Sequence, residues 1–514
     1  MSFGSFLLNL IMNNFYTNVK VWGNNVLYRG IKDGKKIQRK IEYKPSLYIP
    51  IKEESKYKTI FGENLQRINF DSIKESKDFL KKYEGIENFK IYGNVNYEYC
   101  VISELFHGQV EFDISQIRIA IFDIETNSDP ETGGYAAPDN PFQPIISIAL
   151  KFLGEDKSYL FGYHDFDAPE NVIYIKCRDE YTLCKKFIDV WSLEYPDIVS
   201  GWRSDYYDIP YLIGRFNRII SEQETKKLSP WGLIQERKNK TFVKELNKYV
   251  EELSYSIGGI ASLDYIELYK KFDTGEPKEN YKLDYISNIE LGENKVEYDG
   301  SLHRLYTEDV NKFYLYNIHD VILVEKLETK CKFFSLSLTL TYDSKTNYDD
   351  VFRQTRMWDS LIFNHLKTKD VQIPQKGNAS QEEYEGAFVK QPKVGIHKWL
   401  VTVDGTSLYP SLMASLNISP ETYVKSEEYT NAMRNIISQN VGVKSLLDRK
   451  IDLSTLKDDN VALAPNMTFF RVNKKGFLFD IIINMFNDRK MYKGKMLEME
   501  MFKEKISTEI KSRV

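Results

Sequence analysis

The N-terminal part of the chain alternates short apolar runs with turns. Runs at 18–23, 41–50 and 91–93 predict strands, and apolar residues at helical spacing predict one helix over 72–83. No group of acids or histidines stands out among them. Residues 14–116 therefore predict a mixed α/β or mainly β module without a catalytic cluster.

From residue 117 to about 333, buried strands alternate with helices. Strands are predicted at 117–126, 145–152 and 197–202, and helices at 178–191 and 305–329. A loop rich in Gly, Pro, Asp and Asn separates the first two strands. This alternation is typical of an α/β layer.

The rest of the chain starts with a polar stretch at 343–350, which reads as a linker before a helix near 355–366. A strand system is expected to begin at 385, and the apolar run at 399–404 predicts a second buried strand that ends in an acid. The last helix, over 479–510, has no capping glycine and no returning partner helix. Such a helix is only marginally stable alone, so we expect its partner on another chain.

Two acids interrupt the first buried strand. Asp123 and Glu125 stand two residues apart, so both side chains point to the same face of the strand. Buried carboxylates are costly unless they are paired, hydrogen-bonded or bound to metal. Two like charges so close favour a positive group between them, and a hard divalent cation such as Mg²⁺ or Mn²⁺ is the simplest candidate. A strand end whose acids face water is the alternative at this point.

Composition narrows the class of protein only a little. The 514 residues are 42% hydrophobic and 28% charged, which fits a folded protein of several domains. The net charge of −4 does not by itself indicate nucleic-acid binding, although 70 Lys and Arg residues allow a local basic patch. The four cysteines form no CxxC pair, so neither a zinc site nor a disulfide framework is indicated. The apolar run at 3–12 is too short for a membrane span, and no membrane partner is expected.

Further acids occur at two later places. Asp208 precedes an Ile-Pro pair, and Tyr316 and Asp320 stand at i and i+4 of the predicted long helix, on one face. In this order, D-x-E, then Y-D, then Y-x-x-x-D, these residues resemble the three motifs of the DEDDy 3′–5′ exonucleases that accompany family B DNA polymerases. The resemblance implies a ribonuclease H-like domain that hydrolyses phosphodiesters with two Mg²⁺ or Mn²⁺ ions.

The resemblance also implies a role for each residue. Asp123 would bridge the two metals, and Glu125 and Asp320 would bind one of them. Asp208 would hold the second ion, directly or through water. Tyr316 would orient the nucleophilic water.

Residues near the second motif complicate the match. Arg203 stands where family members usually have Asn, and it is expected either to touch a substrate phosphate or to lower activity. Asp205 lies close by, but Asp208 has the Tyr-Asp-Ile-Pro context and is preferred. The segment 255–260 resembles the exonuclease β-hairpin that helps separate primer from template.

A second resemblance to the same family begins at Asp404. The run Asp404-Gly-Thr-Ser-Leu-Tyr-Pro-Ser411 resembles motif A of the polymerase site, usually D-x-x-S-L-Y-P-S. It implies that Asp404 binds the catalytic metals. Backbone N–H groups of Ser407 and Leu408 would bind the dNTP triphosphate, and Tyr409 would exclude a 2′-OH. A buried strand followed by a Tyr-Pro turn is the alternative.

Two flanking segments extend the match. Tyr384, Gly386 and Ala387 resemble the Y-x-G-G/A segment that contacts the template strand. Arg489 and Lys493, one turn apart in what resembles the first fingers helix, would neutralise the β- and γ-phosphates of the dNTP. A solvated basic face is the alternative for this pair.

Segments at 262–272, 298–300 and 417–422 resemble the replicative polymerases of T-even-type bacteriophages in particular. The family's motif B (N-S-x-Y-G) and motif C (D-T-D-S) are not found in the 514 residues. Because one palm carboxylate cannot hold two catalytic ions, we expect the N-terminal subunit of a split polymerase. A C-terminal subunit would supply motifs B and C and the thumb. A free-standing 3′–5′ exonuclease and a non-catalytic nucleic-acid-binding regulator are the alternatives.

The expected fold is α/β and α+β in several domains. They are an N-terminal mixed β module at 1–116 and 334–383, the exonuclease domain at 117–333, a partial palm at 384–475 and the first part of the fingers at 476–514. The resemblance implies DNA primer-template, single-stranded DNA and dNTP as ligands, with a sliding clamp and a single-strand-binding protein as partners. The expected location is the cytoplasm of a bacterial host cell.

Overall fold

The computed structural model describes residues 14–87, 89–128, 134–243, 248–375, 391–405, 407–439, 445, 448 and 450–513, which form a mixed α/β protein of more than one domain. They fall into two compact units. The first comprises residues up to Leu47, Ile68–Phe89 and Asn94–Asn364, and the second comprises Tyr48–Arg67, Lys90–Gly93 and the residues from His365 onward.

The strands are numbered in chain order. They are β1 (Asn14–Trp22), β2 (Asn25–Lys32), β3 (Lys35–Glu42), β4 (Ser46–Pro50), β5 (Tyr57–Thr59), β6 (Asn64–Asn69), β7 (Ile119–Thr126), β8 (Ile145–Phe152), β9 (Ser158–Gly162), β10 (Val172–Lys176), β11 (Ile198–Ser200), β12 (Ile234–Val243), β13 (Lys248–Ile257), β14 (Ala261–Ser262), β15 (Val371–Gln372), β16 (Val461–Leu463) and β17 (Phe469–Arg471).

The α-helices are numbered in the same way. They are α1 (Ile73–Tyr83), α2 (Tyr97–Leu105), α3 (Glu180–Leu193), α4 (Asp208–Ile219), α5 (Glu222–Thr225), α6 (Tyr265–Phe272), α7 (Leu283–Leu291), α8 (Leu302–Glu308), α9 (Val310–Cys331), α10 (Phe333–Ser344), α11 (Gln354–Lys367), α12 (Leu408–Ser415), α13 (Asn431–Ser438) and α14 (Phe477–Arg513). Among the described residues, no helix is both long and apolar enough to cross a bilayer.

The first unit contains a six-stranded sheet with the order β10-β9-β8-β7-β11-β14. Strand β7 pairs antiparallel with β8 and parallel with β11, so it is hydrogen-bonded along both edges. The strands predicted around 117–126, 145–152 and 197–202 are confirmed as β7, β8 and β11, the last of them shorter than predicted. A parallel and antiparallel mixture of this kind is common in large sheets with helices on their faces.

The two faces of β7 carry different residues because strand side chains alternate. Phe122 and its apolar neighbours join a core formed with helices α3 and α4, including Phe187, Trp191 and Leu212. Phe122 meets the ring of Trp191 edge-on at 6.4 Å. The opposite face is packed against α9, and it is the face that carries the acids of β7.

Helix ends follow the capping rules. The helix predicted over 72–83 is confirmed as α1, with Ser72 as its N-cap accepting from the Glu75 N–H at 3.1 Å. The helix predicted over 305–329 is divided into α8 and α9. Asp309 ends the first and caps the second, because its side chain accepts from the Lys312 N–H at 3.0 Å.

The polar stretch at 343–350 was predicted to be a linker, and that prediction is wrong. Five of its eight residues are buried, and the stretch is hydrogen-bonded to β1: the Tyr16 hydroxyl donates to the Thr346 carbonyl at 2.7 Å. Asn347 donates to the Val19 carbonyl and accepts from the Val19 N–H, both at 2.8 Å. Polar residues are stable here because the strand backbone satisfies their hydrogen bonds.

The second unit has a small core of its own. The hairpin β16–β17 lies on a small core that includes Val424, Met433 and Phe469. Asn417 links the segment after α12 to the segment before α14. Its Nδ2 donates to the Lys474 carbonyl at 2.8 Å, and its Oδ1 accepts from the Gly476 N–H at 2.9 Å. Helix α14, by contrast, exposes most of its apolar side chains.

Candidate active site

Asp123 and Glu125 lie in the C-terminal half of β7, on the face that packs against α9. The amide of Asn317, from α9, donates a 2.7 Å hydrogen bond from Nδ2 to Oδ2 of Asp123. The Oδ1 of Asn317 in turn accepts a 2.6 Å hydrogen bond from the hydroxyl of Ser147, on β8. Glu125 is buried. The two acids are therefore enclosed by the fold and do not lie at a solvated strand end.

Asp208 reaches the same place from a different element. It is the first residue of α4, it is buried, and its Oδ1 accepts from the Ile124 N–H of β7 at 3.3 Å. Asp205 turns elsewhere: its carboxylate accepts from Ser262 and lines a separate cavity of about 530 Å³ together with Arg237. The structure therefore brings Asp208, and not Asp205, next to the acids of β7.

Helix α9 contributes the remaining residues. Tyr316 and Asp320, one turn apart, both turn toward the acids, and Lys295 joins them. The ammonium of Lys295 lies 2.9 Å from the Tyr316 hydroxyl and 2.5 Å from Oδ2 of Asp320. Carboxylate oxygens of Asp123, Glu125 and Asp320 lie within 4.8 Å of one another.

The donor set fits a hard divalent ion. Carboxylate oxygens are the ligands that Mg²⁺ and Mn²⁺ prefer. Oδ1 of Asp320 is buried and has no hydrogen-bond partner among the described residues, so one acceptor remains available for a cation. Together with the close spacing of the other oxygens, this makes the cluster a candidate metal centre.

Burial and repulsion between neighbouring negative charges both raise the pKa values of these carboxyls. Burial raises the pKa of Glu125 to about 8 and that of Asp208 to about 7, and the charge of Asp320 adds to both. Burial raises the pKa of Asp320 only to about 6, because Lys295 opposes the shift. The pKa of Asp123 lies well above its ordinary value, from burial first and then the charges of Asp208, Glu125 and Asp320. Such a cluster favours the binding of further positive charge.

Lys295 is the residue that sequence reasoning missed. Burial alone would lower its pKa, but the charges of Asp320, Tyr316 and Asp123 outweigh that effect and raise the pKa above its ordinary value. The lysine lies between α7 and α8, outside any periodic pattern. The sequence did indicate that a positive group is needed, because several acids in one apolar setting require one, but it did not indicate which residue supplies it.

Arg203 does not reach the carboxylates. It adopts a left-handed backbone conformation, with φ of 74°, and its N–H donates to Asp264 at 3.0 Å. Its guanidinium points to Glu252 of β13, 3.9 Å away, and is largely exposed. An antiparallel pair of strands, β12 and β13, precedes the segment 255–260, and only the last three residues of β13 fall within that segment.

The residues of the motif A resemblance lie in the second unit. Asp404 is exposed, and within the described residues it belongs to no group of metal-ligating side chains. Ser407, with φ of 48°, precedes α12, whose first residues are Leu408 and Tyr409. Leu408 and Tyr409 are 54% and 70% exposed, so this stretch is presented to solvent.

The prediction of a buried strand at 399–404 is wrong. Residues 399–404 form no strand, and Trp399, Val401 and Val403 are 98%, 81% and 87% exposed. An alternating apolar run becomes a strand only when another strand accepts its hydrogen bonds, and no described residue does so here.

The other predicted contact residues divide into two groups. Arg489 and Lys493 are exposed on α14, one turn apart. Tyr384, Gly386 and Ala387 lie outside the described residues, as does the start of the strand system expected at 385.

Comparison with known proteins gives the class. Residues 66–286 match the family model described as DNA polymerase family B, exonuclease domain, and residues 350–511 match the model described as DNA polymerase family B. The first match contains β7 and Asp208. The chain belongs to the family B DNA polymerases.

Individual relatives extend the match over most of the chain. The DNA-directed DNA polymerase of Escherichia phage RB69 is 31% identical over 516 residues, covering 95% of this chain and 54% of that protein. That of Enterobacteria phage T4 is 29% identical over 523 residues, covering 96% and 55%. The DNA polymerase catalytic subunit of Elephantid herpesvirus 1 is 25% identical over 351 residues, covering 65% and 32%. The predicted resemblance to T-even-type phage polymerases is confirmed, and the chain spans about half the length of these phage relatives.

Proposed function

We propose that the carboxylate cluster is the site of a two-metal 3′–5′ exonuclease of the DEDDy type, in a ribonuclease H-like domain. The observation that carries the proposal is the convergence of four acids from three separate elements, β7, α4 and α9, on one buried place. A single lysine does not balance four carboxylates, so the cluster is suited to additional cations.

Each residue has a task in this proposal. Asp123 would hold both ions, Glu125 and Asp320 one of them, and Asp208 the other. A bound pair of Mg²⁺ or Mn²⁺ ions supplies activation of water and neutralisation of the leaving 3′ oxygen. Asn317 fixes the orientation of Asp123 through its 2.7 Å hydrogen bond. Tyr316 would orient the attacking water through its hydroxyl, which Lys295 holds in place.

The test is degradation of 5′-labelled single-stranded DNA by the purified chain in Mg²⁺. We expect shortening from the 3′ end, and Asp123→Asn should slow it by about a hundredfold or more, because a metal ligand is lost. Asp205→Asn is the matched control, since Asp205 lies near Asp208 in sequence but in another cavity. Equal activity of wild type and Asp123→Asn, or equal loss in Asp205→Asn, contradicts the assignment.

We infer further that the second unit supplies part of a polymerase site. Asp404 would bind catalytic metal, the N–H groups at the start of α12, near Ser407 and Leu408, would bind the triphosphate, and Tyr409 would select dNTP. Arg489 and Lys493 would bind its outer phosphates. Tyr384, Gly386 and Ala387 would contact the template strand.

This part needs a second polypeptide in our proposal. Asp404 belongs to no group of three or more metal-ligating side chains among the described residues, and the exposed apolar side chains at 399–403 and on α14 have the character of an interface. The partner would carry motifs B and C and the thumb. The four domain boundaries given above, the action on primer-template in the host cytoplasm, and the sliding clamp and single-strand-binding protein belong to the same proposal.

Primer extension tests the partnership. The chain alone should degrade but not extend a primer, whereas a mixture with a polypeptide that carries motifs B and C should extend it with dNTP. Asp404→Asn should abolish extension and leave degradation of single strands intact. Unaided extension by this chain, or a mixture that neither associates nor extends, contradicts the proposal.

A further inference from the structure

A serine stands within a strand that is mostly apolar and fully buried. All eight residues of β8 are buried, and Ser147, between two isoleucines, is 0% exposed. A buried hydroxyl is costly unless it is hydrogen-bonded, so packing alone gives no reason for a serine here. The register of β7 and β8 places Ser147 directly opposite Glu125. Residues opposite each other on neighbouring strands share a face of the sheet, so Ser147 lies on the face that carries the acids.

The hydroxyl of Ser147 is connected to Asp123 through one amide. It donates a 2.6 Å hydrogen bond to Oδ1 of Asn317, and Nδ2 of Asn317 donates a 2.7 Å hydrogen bond to Oδ2 of Asp123. Asn317 is 0% exposed, like Ser147. The three side chains thus form a buried chain of two short hydrogen bonds from β8 through α9 to β7. Hydrogen bonds in such a chain polarise one another, so each strengthens the next.

This chain fixes which end of the amide faces the carboxylate. An ionised carboxylate only accepts hydrogen bonds, whereas an amide has a donating end and an accepting end. Because the Ser147 hydroxyl donates to the amide oxygen, the amino group of Asn317 is held toward Asp123. That hydrogen bond engages Oδ2 of Asp123. The other carboxylate oxygen, Oδ1, accepts no hydrogen bond from the described residues and is available to a cation.

We propose that Ser147 is a positioning residue for the metal centre: acting through Asn317, it holds the carboxylate of Asp123 in the orientation that binds a divalent ion. Ser147 itself contacts neither ion nor substrate. Removing a group that hydrogen-bonds to a metal ligand in this way typically weakens metal binding by about ten- to a hundredfold. A serine that only joins β8 to α9 would leave metal affinity unchanged. The inference rests on the proposed exonuclease.

Binding of Mn²⁺ to the full chain without DNA tests the inference, because the EPR signal of the free ion gives the Kd without any activity. Ser147→Ala should raise this Kd by about tenfold. Ser200→Ala is the matched control. Ser200 is equally buried, on β11, and donates a hydrogen bond of the same 2.6 Å, but to the Leu263 carbonyl. Ser200→Ala should lower Tm about as much as Ser147→Ala does and should leave the Kd unchanged.

A double-mutant cycle with Asn317→Leu tests whether Ser147 acts through the amide. Asn317→Leu alone should raise the Kd for Mn²⁺ by about tenfold or more. Adding Ser147→Ala to it should change the Kd by less than about twofold, because the hydroxyl then has no connection to Asp123. In degradation of single strands, Ser147→Ala should need about tenfold more Mg²⁺ for half of its maximal rate.

Two results would overturn the inference alone. One is a Ser147→Ala chain that binds Mn²⁺ as tightly as wild type while Asp123→Asn abolishes binding. The other is a loss from Ser147→Ala that is as large in the Asn317→Leu background as in wild type. If Asp123→Asn itself leaves Mn²⁺ binding unchanged, the metal centre and the proposed exonuclease are refuted together with the inference.

Discussion

Lys295 and Asp320 form a buried ion pair, with the ammonium 2.5 Å from Oδ2 of the carboxylate. Removing one partner of such a pair leaves an uncompensated charge and costs about 3 kcal/mol or more. Lys295→Met should therefore lower the free energy of unfolding in EDTA by about 3 kcal/mol. Saturating Mg²⁺ should reduce that loss, since the ion restores positive charge to the cluster. Thermal and urea unfolding with and without Mg²⁺ measure both effects.

Lys326→Met is the control for this prediction. Lys326 pairs with Glu293 at 2.5 Å, but both side chains are more than a third exposed, so the change should cost less than about 1 kcal/mol and be indifferent to Mg²⁺. A Lys295→Met loss that Mg²⁺ does not diminish would show that the lysine has only a packing role.

The carboxylate cluster predicts a pH dependence of stability in EDTA. The pKa values of Glu125, Asp208 and Asp320, at about 8, 7 and 6, lie above those of unfolded carboxyls, so the folded state binds more protons. This contribution is complete below the unfolded pKa of about 4 and is lost as pH rises through the folded values. The Tm should therefore fall between about pH 5.5 and about pH 8.5, and Mg²⁺ or Mn²⁺ should raise it more at the higher pH.

Glu125→Gln separates this cluster from the other titrating groups of the protein. The glutamine of this variant cannot ionise as pH rises, so the Tm of the variant should fall less steeply with pH than that of wild type. If the difference between the two Tm curves is flat, or grows in favour of wild type as pH rises, the sign of the effect is wrong.

Arg203 adopts a left-handed conformation that costs an ordinary L-residue about 1–2 kcal/mol. Asparagine tolerates this conformation better, so Arg203→Asn should stabilise the protein by about 0.5–1 kcal/mol in urea unfolding. Arg203→Ala keeps the strain and loses only an exposed pair with Glu252, so its stability should change by less than about 0.5 kcal/mol. Identical stabilities of the Asn and Ala variants would mean that strain at this position is negligible.

The exposed run at 399–403 predicts a selective effect on assembly. Val401→Asp and Val403→Asp should leave Tm and exonuclease rate unchanged, because both side chains are solvent-exposed. They should abolish primer extension in a mixture with a polypeptide that carries motifs B and C, since an apolar interface cannot bury the new charge. Lys398→Asp replaces a positive charge by a negative one beside the apolar positions and should reduce extension much less. Undiminished extension by the valine variants would exclude this run from the interface.

Asp123 and Glu125 were predictable because they interrupt an apolar strand, whereas Asp208, Tyr316 and Asp320 were identified by the order of the motifs that resemble the family. Asp123 and Glu125 break an apolar strand, and Tyr316 and Asp320 share a helix face. Lys295 obeys no local rule, since it lies in an irregular segment between two helices and reaches the acids only through the tertiary fold. Local periodicity carries no information about such a residue.

The predictions at 343–350 and 399–404 are wrong for the same reason, whereas the strand predicted at 91–93 is reduced to isolated bridges at Tyr92. Polarity at 343–350 predicted a linker and alternation at 399–404 predicted a buried strand, yet burial depends on which partners are present. Residues 343–350 hydrogen-bond to β1 and are mostly buried. Residues 399–404 pair with no strand among the described residues and are exposed. The composition of a segment indicates whether it tends to be buried or exposed, but the available hydrogen-bond partners determine whether it is buried in the fold.

The hydrogen bond between the Tyr16 hydroxyl and the Thr346 carbonyl joins residues 330 positions apart. A ribosome that adds about 10 residues per second would need roughly half a minute to make the second partner after the first. Throughout that time β1 cannot form its hydrogen bonds with residues 346 and 347, and contacts of such long range form late in folding. Newly made chains should therefore need chaperone protection until residue 346 has left the ribosome.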